Sequence, residues 1–289
     1  MSKRALLIGI NDYKRIKDLR GCVSDVTNVR DVLKTYYGFD NKEIRVLTDA
    51  RATRENVLSR MEWLIEGLGQ GDTAFFHFSG HGSQVRDRDG DELRDWKDEI
   101  LCCYGMSWDG GYITDDEFDA WRKRIETGVL LEAILDCCHS GTGTPVVTGK
   151  YSGPTRLIDI EVEVPDVDSR FLEPPLDIQL RSEGEDLPVK RAAHLLSESW
   201  NNRPSSGLAP KHVIWSGCGE GQTSADSFIK GSFNGAFTYY WCKHVRESGG
   251  KIDRRSLYQK VRNSLAHHKY TQIPELTCEE PFSWLQTLG

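Results

Sequence analysis

Two apolar runs in this chain end in the same way. Val129-Leu130-Leu131-Glu132-Ala133-Ile134-Leu135 gives way to Asp136-Cys137-Cys138-His139-Ser140-Gly141, and Thr73-Ala74-Phe75-Phe76-His77-Phe78 to Ser79-Gly80-His81-Gly82-Ser83-Gln84. Each run is too short to span a membrane and suits a strand buried on both faces, with Glu132 the exception in the first. Such strands belong to parallel sheets covered by helices, where ligands collect beyond the carboxyl ends of the strands. The polar residues after each run therefore stand where chemistry is expected. One cluster offers thiols, the other an imidazole flanked by glycines.

The rest of the chain supplies the remaining layers. Residues 4–10 read as a first strand, and Val26, Val29, Val32, Leu33 and Tyr36 recur at helical spacing before Gly38. A second strand is expected at 44–47, then a helix capped by Thr53 that carries Val57, Met61, Leu64 and Ile65. Residues 85–97 form a densely charged, exposed loop. Residues 98–104 read as a fourth strand and 111–114 as a short extended piece, before a capping box, Thr114-Asp115-Asp116-Glu117, opens a helix through Ile125. A further buried strand is expected at 211–218, a helix from Phe233, and a last helix from Ser256 to His267. The alternation predicts an α/β fold with about six mostly parallel strands flanked by helices. Residues 144–210 interrupt it as a long exposed insertion, in which 162–164 and 178–180 are expected as edge strands.

Bulk properties narrow the class. At 289 residues, with 38% hydrophobic and 28% charged, the chain is of ordinary globular composition, sized for one large domain or two modest ones. A net charge of −7 disfavours non-specific nucleic-acid or membrane binding and favours a basic substrate or a cation. Of the eight cysteines, Cys102-Cys103 and Cys137-Cys138 are adjacent pairs ill placed to bridge each other, and most lie in apolar runs, which points to a reducing compartment. No Cys-x-x-Cys or His-Glu-x-x-His supports a zinc site. The first strand begins by residue 4 and leaves no room for a signal peptide or an N-terminal regulatory domain, so a cytoplasmic location is expected.

A cysteine nucleophile needs its thiolate, which a neighbouring imidazole generates by accepting the proton. Cys138 and His81 have the right types at the ends of two candidate neighbouring strands. The amides of Gly82 and of Cys138 itself are candidate oxyanion donors. Taken singly, Cys138 reads better as a buried core thiol and His81 as a hydrogen-bonded structural histidine; the matching strand ends reverse that and favour the pair.

His77-Phe78-Ser79-Gly80-His81-Gly82 and Asp136-Cys137-Cys138-His139-Ser140-Gly141 resemble the two signature motifs of metacaspases and their bacterial relatives, the orthocaspases, within the caspase-like cysteine peptidases. Residues 5–13 and 19–26 resemble the start of the large, p20-like part. Residues 215–218, 222–226 and 234–238 resemble the small, p10-like part. The resemblance implies a caspase-like three-layer sandwich, the bacterial type being expected, divided into a p20-like part (1–144), a linker (145–210) and a p10-like part (211–289). It also implies endopeptidase cleavage after arginine or lysine, with His81 as base and Cys138 as nucleophile. Cys137 is then a non-catalytic neighbour. The family's acidic substrate pocket falls on Asp25 and Asp136, with Cys22 and Ser79 nearby and Asp226 as a further candidate. Two carboxylates at the sheet edge would clamp a guanidinium well.

Many metacaspases bind calcium through two acidic loops, which Asp98-Glu99 and Asp115-Asp116 resemble; the residues after the nucleophile motif, 142–147, lack the carboxylate the family places there. No cofactor is expected for the chemistry itself. Expected partners are protein or peptide substrates with a basic residue before the cut and a protein activator, without nucleic acid or membrane, the chain acting as a monomer. The basic residues of the insertion (Lys150, Arg156, Arg170, Arg181, Lys190, Arg191 and Arg203) offer sites for self-cleavage or for plugging the chain's own cleft. The alternatives are a related peptidase of non-basic specificity, and a catalytically silent or redox-sensing regulatory protein on the same fold.

Overall fold

The structure, a computed structural model, describes residues 1–86, 97–138, 167–183, 211–219 and 222–278. The first part runs β1 (Lys3–Gly9), α1 (Cys22–Tyr36), β2 (Ile44–Thr48), α2 (Arg54–Ile65) and β3 (Thr73–Ser79). It continues through β4 (Gly82–Arg86), β5 (Lys97–Ser107), β6 (Gly110–Thr114), α3 (Asp115–Arg122) and β7 (Leu130–Asp136). Then follow β8 (Val167–Ser169), α4 (Leu176–Glu183), β9 (Lys211–Ser216), β10 (Ala225–Ile229) and β11 (Ser232–Gly235). The last elements are α5 (Ala236–Glu247), α6 (Arg254–His267) and β12 (Glu275–Cys278).

The central sheet has six strands in the order β12-β9-β7-β3-β1-β2, all parallel except the edge strand β12. Its strands alternate between two apolar layers because successive side chains point to opposite faces. Leu6, Ile8, Ala74, Phe76, Phe78, Leu131 and Ala133 pack with Val57, Met61, Leu64, Phe118 and Trp121 of α2 and α3. Ala5, Leu7, Phe75 and Ile134 pack on the other face with residues of α1, α5 and α6. This is the three-layer arrangement of the caspase-like fold.

Glu132, the acid in the middle of β7, has a partner. Glu132 is bound by Nε of Arg254 at 2.9 Å and Nη2 at 2.6 Å, and accepts from the Trp215 indole at 2.6 Å. A buried carboxylate is tolerable only when paired and hydrogen-bonded in this way.

Several expectations need correction. Residues 98–104 are extended, but within an antiparallel sheet of their own, β4-β5-β6. Residues 178–180 are helical in α4, because Pro174-Pro175 starts a helix: the Ile178 and Gln179 amides both donate to the Pro175 carbonyl. Phe233 lies in a strand, not a helix. Lys230 (φ 49°) and Gly231 (φ 91°) form a tight turn between β10 and β11, and the helix begins only at Ala236. The helix after the capping box stops at Arg122. Residues 87–96, 139–141, 162–164, Lys150, Arg156, Lys190, Arg191 and Arg203 lie outside the described residues. No described helix is long and apolar enough to cross a membrane.

Candidate active site

The strand register sets the site. Ser79 pairs with Asp136 across β3 and β7, and Gly9 pairs with Ser79, so three carboxyl ends stand in one row. β1 leads to β2 on one side of the sheet while β3 lies on the other, which makes the crevice beyond β1 and β3 the switch point where such sheets bind ligands. Ser79 and Asp136 share the face covered by α1 and α5. The first turn of α1 adds Asp25, and β10 adds Asp226, all four fully buried.

A guanidinium fills the space between them. Arg170, expected among exposed residues of the insertion, has no accessible surface. Its Nη2 donates to Asp25 Oδ2 at 2.8 Å and Asp226 Oδ1 at 3.2 Å. Its Nη1 donates to Ser79 Oγ at 2.8 Å and to the Asp136 carbonyl at 3.0 Å, with Asp136 Oδ1 at 3.3 Å. The carboxylates are themselves braced. Asp25 accepts from Ser79 Oγ at 2.8 Å and from the Gly235 amide at 2.9 Å, and Asp136 Oδ2 accepts from the amide of Thr238 at 3.0 Å and its hydroxyl at 2.6 Å. Thr238 lies in the first turn of α5, where unpaired amides and the helix dipole favour an anion. Gly235 forms the pocket floor. A Cβ there would lie 2.3 Å from Asp136 Oδ2 and 2.6 Å from Arg170 Nη1.

The backbone around Arg170 crosses the cleft as an added strand. β8 pairs antiparallel with β10, Asp168 opposite Asp226, and the Arg170 amide donates to the Ser224 carbonyl at 3.0 Å. The Arg170 carbonyl accepts from the Gly82 amide at 3.0 Å, and Leu172 then donates to the Gly82 carbonyl at 2.9 Å. The Gly82 backbone also packs on Cys138: a Cβ on Gly82 would meet the Cys138 carbonyl oxygen at 1.9 Å, so only glycine fits.

His81 contacts the Arg170 carbonyl, and Cys138 contacts the Ser224 backbone that pairs with Arg170. His81 Nε2 lies 2.8 Å from the Lys17 carbonyl oxygen and Nδ1 3.2 Å from that of Arg170. Both ring nitrogens thus face carbonyl oxygens, and a neutral imidazole, with one N–H, can donate to only one of them at a time. The Cys138 thiol donates to the Ser224 carbonyl at 3.6 Å, the same oxygen that receives the Arg170 amide, while the Ser224 amide donates to the sulfur. No hydrogen bond joins His81 and Cys138 among the described residues; the two sit around the same backbone of Arg170.

The sequence comparisons converge on one family. The profile described as "Metacaspase, peptidase C14 domain" matches residues 3–147. Metacaspase-1 of Eremothecium gossypii is 34% identical over 301 aligned residues, which cover 97% of this chain and 64% of that protein. Metacaspase-1 of Pyricularia oryzae is 31% identical, the alignment covering 96% of this chain and 72% of that one. The chain belongs to the metacaspase family. Among solved structures, protein GSU0716 of Geobacter sulfurreducens shares the fold, with a TM-score of 0.67 over 99% of this metacaspase and 97% of that chain, at 23% identity. Membership places the chain in a family of cysteine peptidases.

Burial governs the titration of the metacaspase site. It pushes the Asp25 carboxyl up to about 7, against the pull of the Arg170 guanidinium and with a further push from Asp136. Burial pulls against the charged form of Arg170, but the carboxylates of Asp136, Asp25 and Asp226 more than reverse this. Burial likewise pushes the Cys138 thiol up, with Cys218 adding to it and the Ser224 amide opposing, and lowers His81 although its two carbonyl contacts favour the cation. Thiol and imidazole are thus both neutral at pH 7 in this state, a resting pair rather than an ion pair. Burial also drives the Cys22 thiol up, so it meets the guanidinium as a neutral group.

The candidate calcium ligands lie together by register. Ile100 pairs with Thr114, so Asp98-Glu99 and Asp115-Asp116 stand at one end of the β5-β6 hairpin. Their oxygens suit a hard cation. Among the described residues, no three His, Cys, Asp or Glu side chains are placed to hold a metal ion. Tyr13, Lys17, Arg20 and Ser224 enter the site without having been singled out as site residues from the sequence. Tyr13 Oη accepts from the His81 amide at 2.8 Å. Tyr13, Arg20 and Ser224 fall within stretches that resemble the family, whereas Lys17 carries no local signal.

Proposed function

We propose that this metacaspase is an endopeptidase that cuts after arginine or lysine and is made with its own Arg170 occupying the cleft. One observation carries the reading: a guanidinium rests among three buried carboxylates while its own carbonyl sits against the Gly82 amide and His81 Nδ1. A substrate held in the same way presents its basic side chain to Asp25, Asp136 and Asp226, and the peptide bond after it to the reactive groups. The Cys138 thiol turns from Ser224 toward the carbonyl carbon and gives its proton to His81 as the carbon–sulfur bond forms. The Gly82 amide, joined by that of Cys138, holds the oxyanion. His81 returns the proton to the leaving amine as the carbon–nitrogen bond breaks. Water then releases the acyl group as a carboxylate and restores the thiol.

On this reading the segment through Arg170 acts as a built-in competitor, and cleavage of the Arg170–Phe171 bond is the self-processing step. The carboxylates of Asp98, Glu99, Asp115 and Asp116 would be the ligands of a calcium ion, and no chemical step passes through it. The test is hydrolysis of reporter peptides ending in Arg, Lys, Asn or Asp by the full chain and by Cys138→Ala, with mass spectrometry of the chain itself. Arginyl and lysyl cleavage lost in Cys138→Ala, with a new N-terminus at Phe171, supports the proposal. Preferential asparaginyl or aspartyl cleavage refutes the specificity. Labelling of Cys138 by a thiol-directed probe without any hydrolysis would point instead to a silent, regulatory member of the fold.

A further inference from the structure

Successive side chains of a strand alternate, so the face of β8 that leads into Arg170 also carries Asp168. Asp168 Oδ1 lies 2.5 Å from Lys17 Nζ, and its Oδ2 lies 2.9 Å from Arg20 Nη2. Both cations sit on the loop between β1 and α1, and that loop is fastened to the reacting centre. The Lys17 carbonyl is the partner of His81 Nε2 at 2.8 Å. The Arg20 amide donates at 2.7 Å to Asp226 Oδ2, whose other oxygen holds Arg170. The Arg20 guanidinium lies 3.7 Å from the centroid of the Phe233 ring on β11, which limits its freedom.

Charge on the neighbouring strand sharpens the point. Asp168 stands directly opposite Asp226 in the β8-β10 ladder, an unfavourable pairing of like charges. It is tolerable here because Arg170 takes one carboxylate while Lys17 and Arg20 take the other. When the segment through Arg170 leaves and a substrate strand replaces it, the side chain in the place of Asp168 meets the same two cations that Asp168 contacts here. We propose that Lys17 and Arg20 form a subsite for an acidic residue two positions before the basic residue at the cut, so that the substrates are sequences of the form Asp/Glu-Xaa-Arg/Lys. This rests on the peptidase reading above and names its substrate class. The side chains of Lys17, Arg20 and Asp168 are 62%, 38% and 27% exposed, so the preference is modest and salt-sensitive.

Three reporter peptides test it, Val-Asp-Ser-Arg, Val-Asn-Ser-Arg and Val-Lys-Ser-Arg, each with a fluorophore after arginine. They are run on the full chain and on full-chain Arg170→Ala, whose competing segment lacks its anchor. The expected result is a kcat/KM about fivefold higher for the aspartyl than for the asparaginyl peptide, and lower still for the lysyl one. The difference is expected in KM rather than kcat, and it shrinks in about 0.5 M salt. The double variant Lys17→Gln/Arg20→Gln levels the aspartyl and asparaginyl peptides, whereas Lys17→Arg/Arg20→Lys retains the preference and guards against a folding defect. Equal KM values in the parent chain, or a preference that survives in the glutamine variant, overturn the subsite and leave the peptidase reading intact. If none of the three is cut by either chain, the peptidase reading falls and takes the subsite with it.

Discussion

The Gly82 amide donates at 3.0 Å to the carbonyl of Arg170, the residue whose guanidinium is bound to Asp25 at 2.8 Å. One residue therefore satisfies the acidic pocket with its side chain and the Gly82 amide with its backbone. An unrelated surface loop falling into the cleft would have no reason to satisfy both.

Removing the side chain of this built-in competitor should raise activity. Arg170→Ala is expected to increase kcat/KM for an arginyl peptide about tenfold, because the open cleft becomes the populated state, while Arg170→Lys stays near the parent. The same change leaves three buried carboxylates without their cation, so the melting temperature should fall. Peptide kinetics and thermal denaturation on one preparation check both halves, and unchanged kinetics would argue that the segment does not compete.

The pocket floor offers a steric test. A Cβ at Gly235 would lie 2.7 Å from Asp25 Oδ2 as well as close to Asp136 and the guanidinium. Gly235→Ala should lower cleavage after arginine about a hundredfold by displacing the bound side chain. Cys138 should still react with a small thiol reagent, which distinguishes a blocked pocket from a collapsed fold.

Protonation of Asp25 should leave two signatures. Its carboxyl is pushed up to about 7 from an ordinary 3.8, so between those values the folded chain holds a proton that the unfolded chain has lost. Its contribution to stability is then fully present below 3.8 and is lost as pH rises toward 7. Asp25→Asn should flatten that part of the stability profile, read as melting temperature against pH. Without the guanidinium, which pulls the value down, the carboxyl titrates higher still. In Arg170→Ala, kcat/KM for arginyl peptides should therefore rise with pH through an inflection above 7, as the carboxylate that binds the substrate forms.

Adjacent cysteines should behave differently. Cys137 packs in the apolar layer with α2 and α3, on the far face of the sheet from the acidic pocket, while Cys138 reaches Ser224 in the cleft. Cys137→Ala should keep most of the activity and lose about 1 kcal/mol of stability through the small cavity it leaves. Cys138→Ala should abolish hydrolysis. Equal losses from the two variants, measured with one arginyl peptide, would overturn the assignment of the nucleophile.

The cores of β1, β3 and β7 were legible in the sequence because a strand buried on both faces must be apolar at consecutive positions, and that composition is local. The capping box at Thr114 and the cap at Thr53 were legible for the same reason: each bond spans three residues. Other features depend on partners far along the chain. β8 is only three residues long and owes its strand conformation to β10, so nothing in Val167-Asp168-Ser169 announces it. The Lys230-Gly231 turn, not the apolar spacing, decides that Phe233 is extended. By itself the sequence determined the layers of the fold and the two polar strand ends, since hydrophobic patterning and turn chemistry act between neighbours. Only the tertiary structure decided that Asp25, Asp136 and Asp226 converge on Arg170, and that Lys17 and Arg20 face Asp168. Strand register and the packing of helix starts against strand ends fix those distances, and both are settled by burial across the whole molecule.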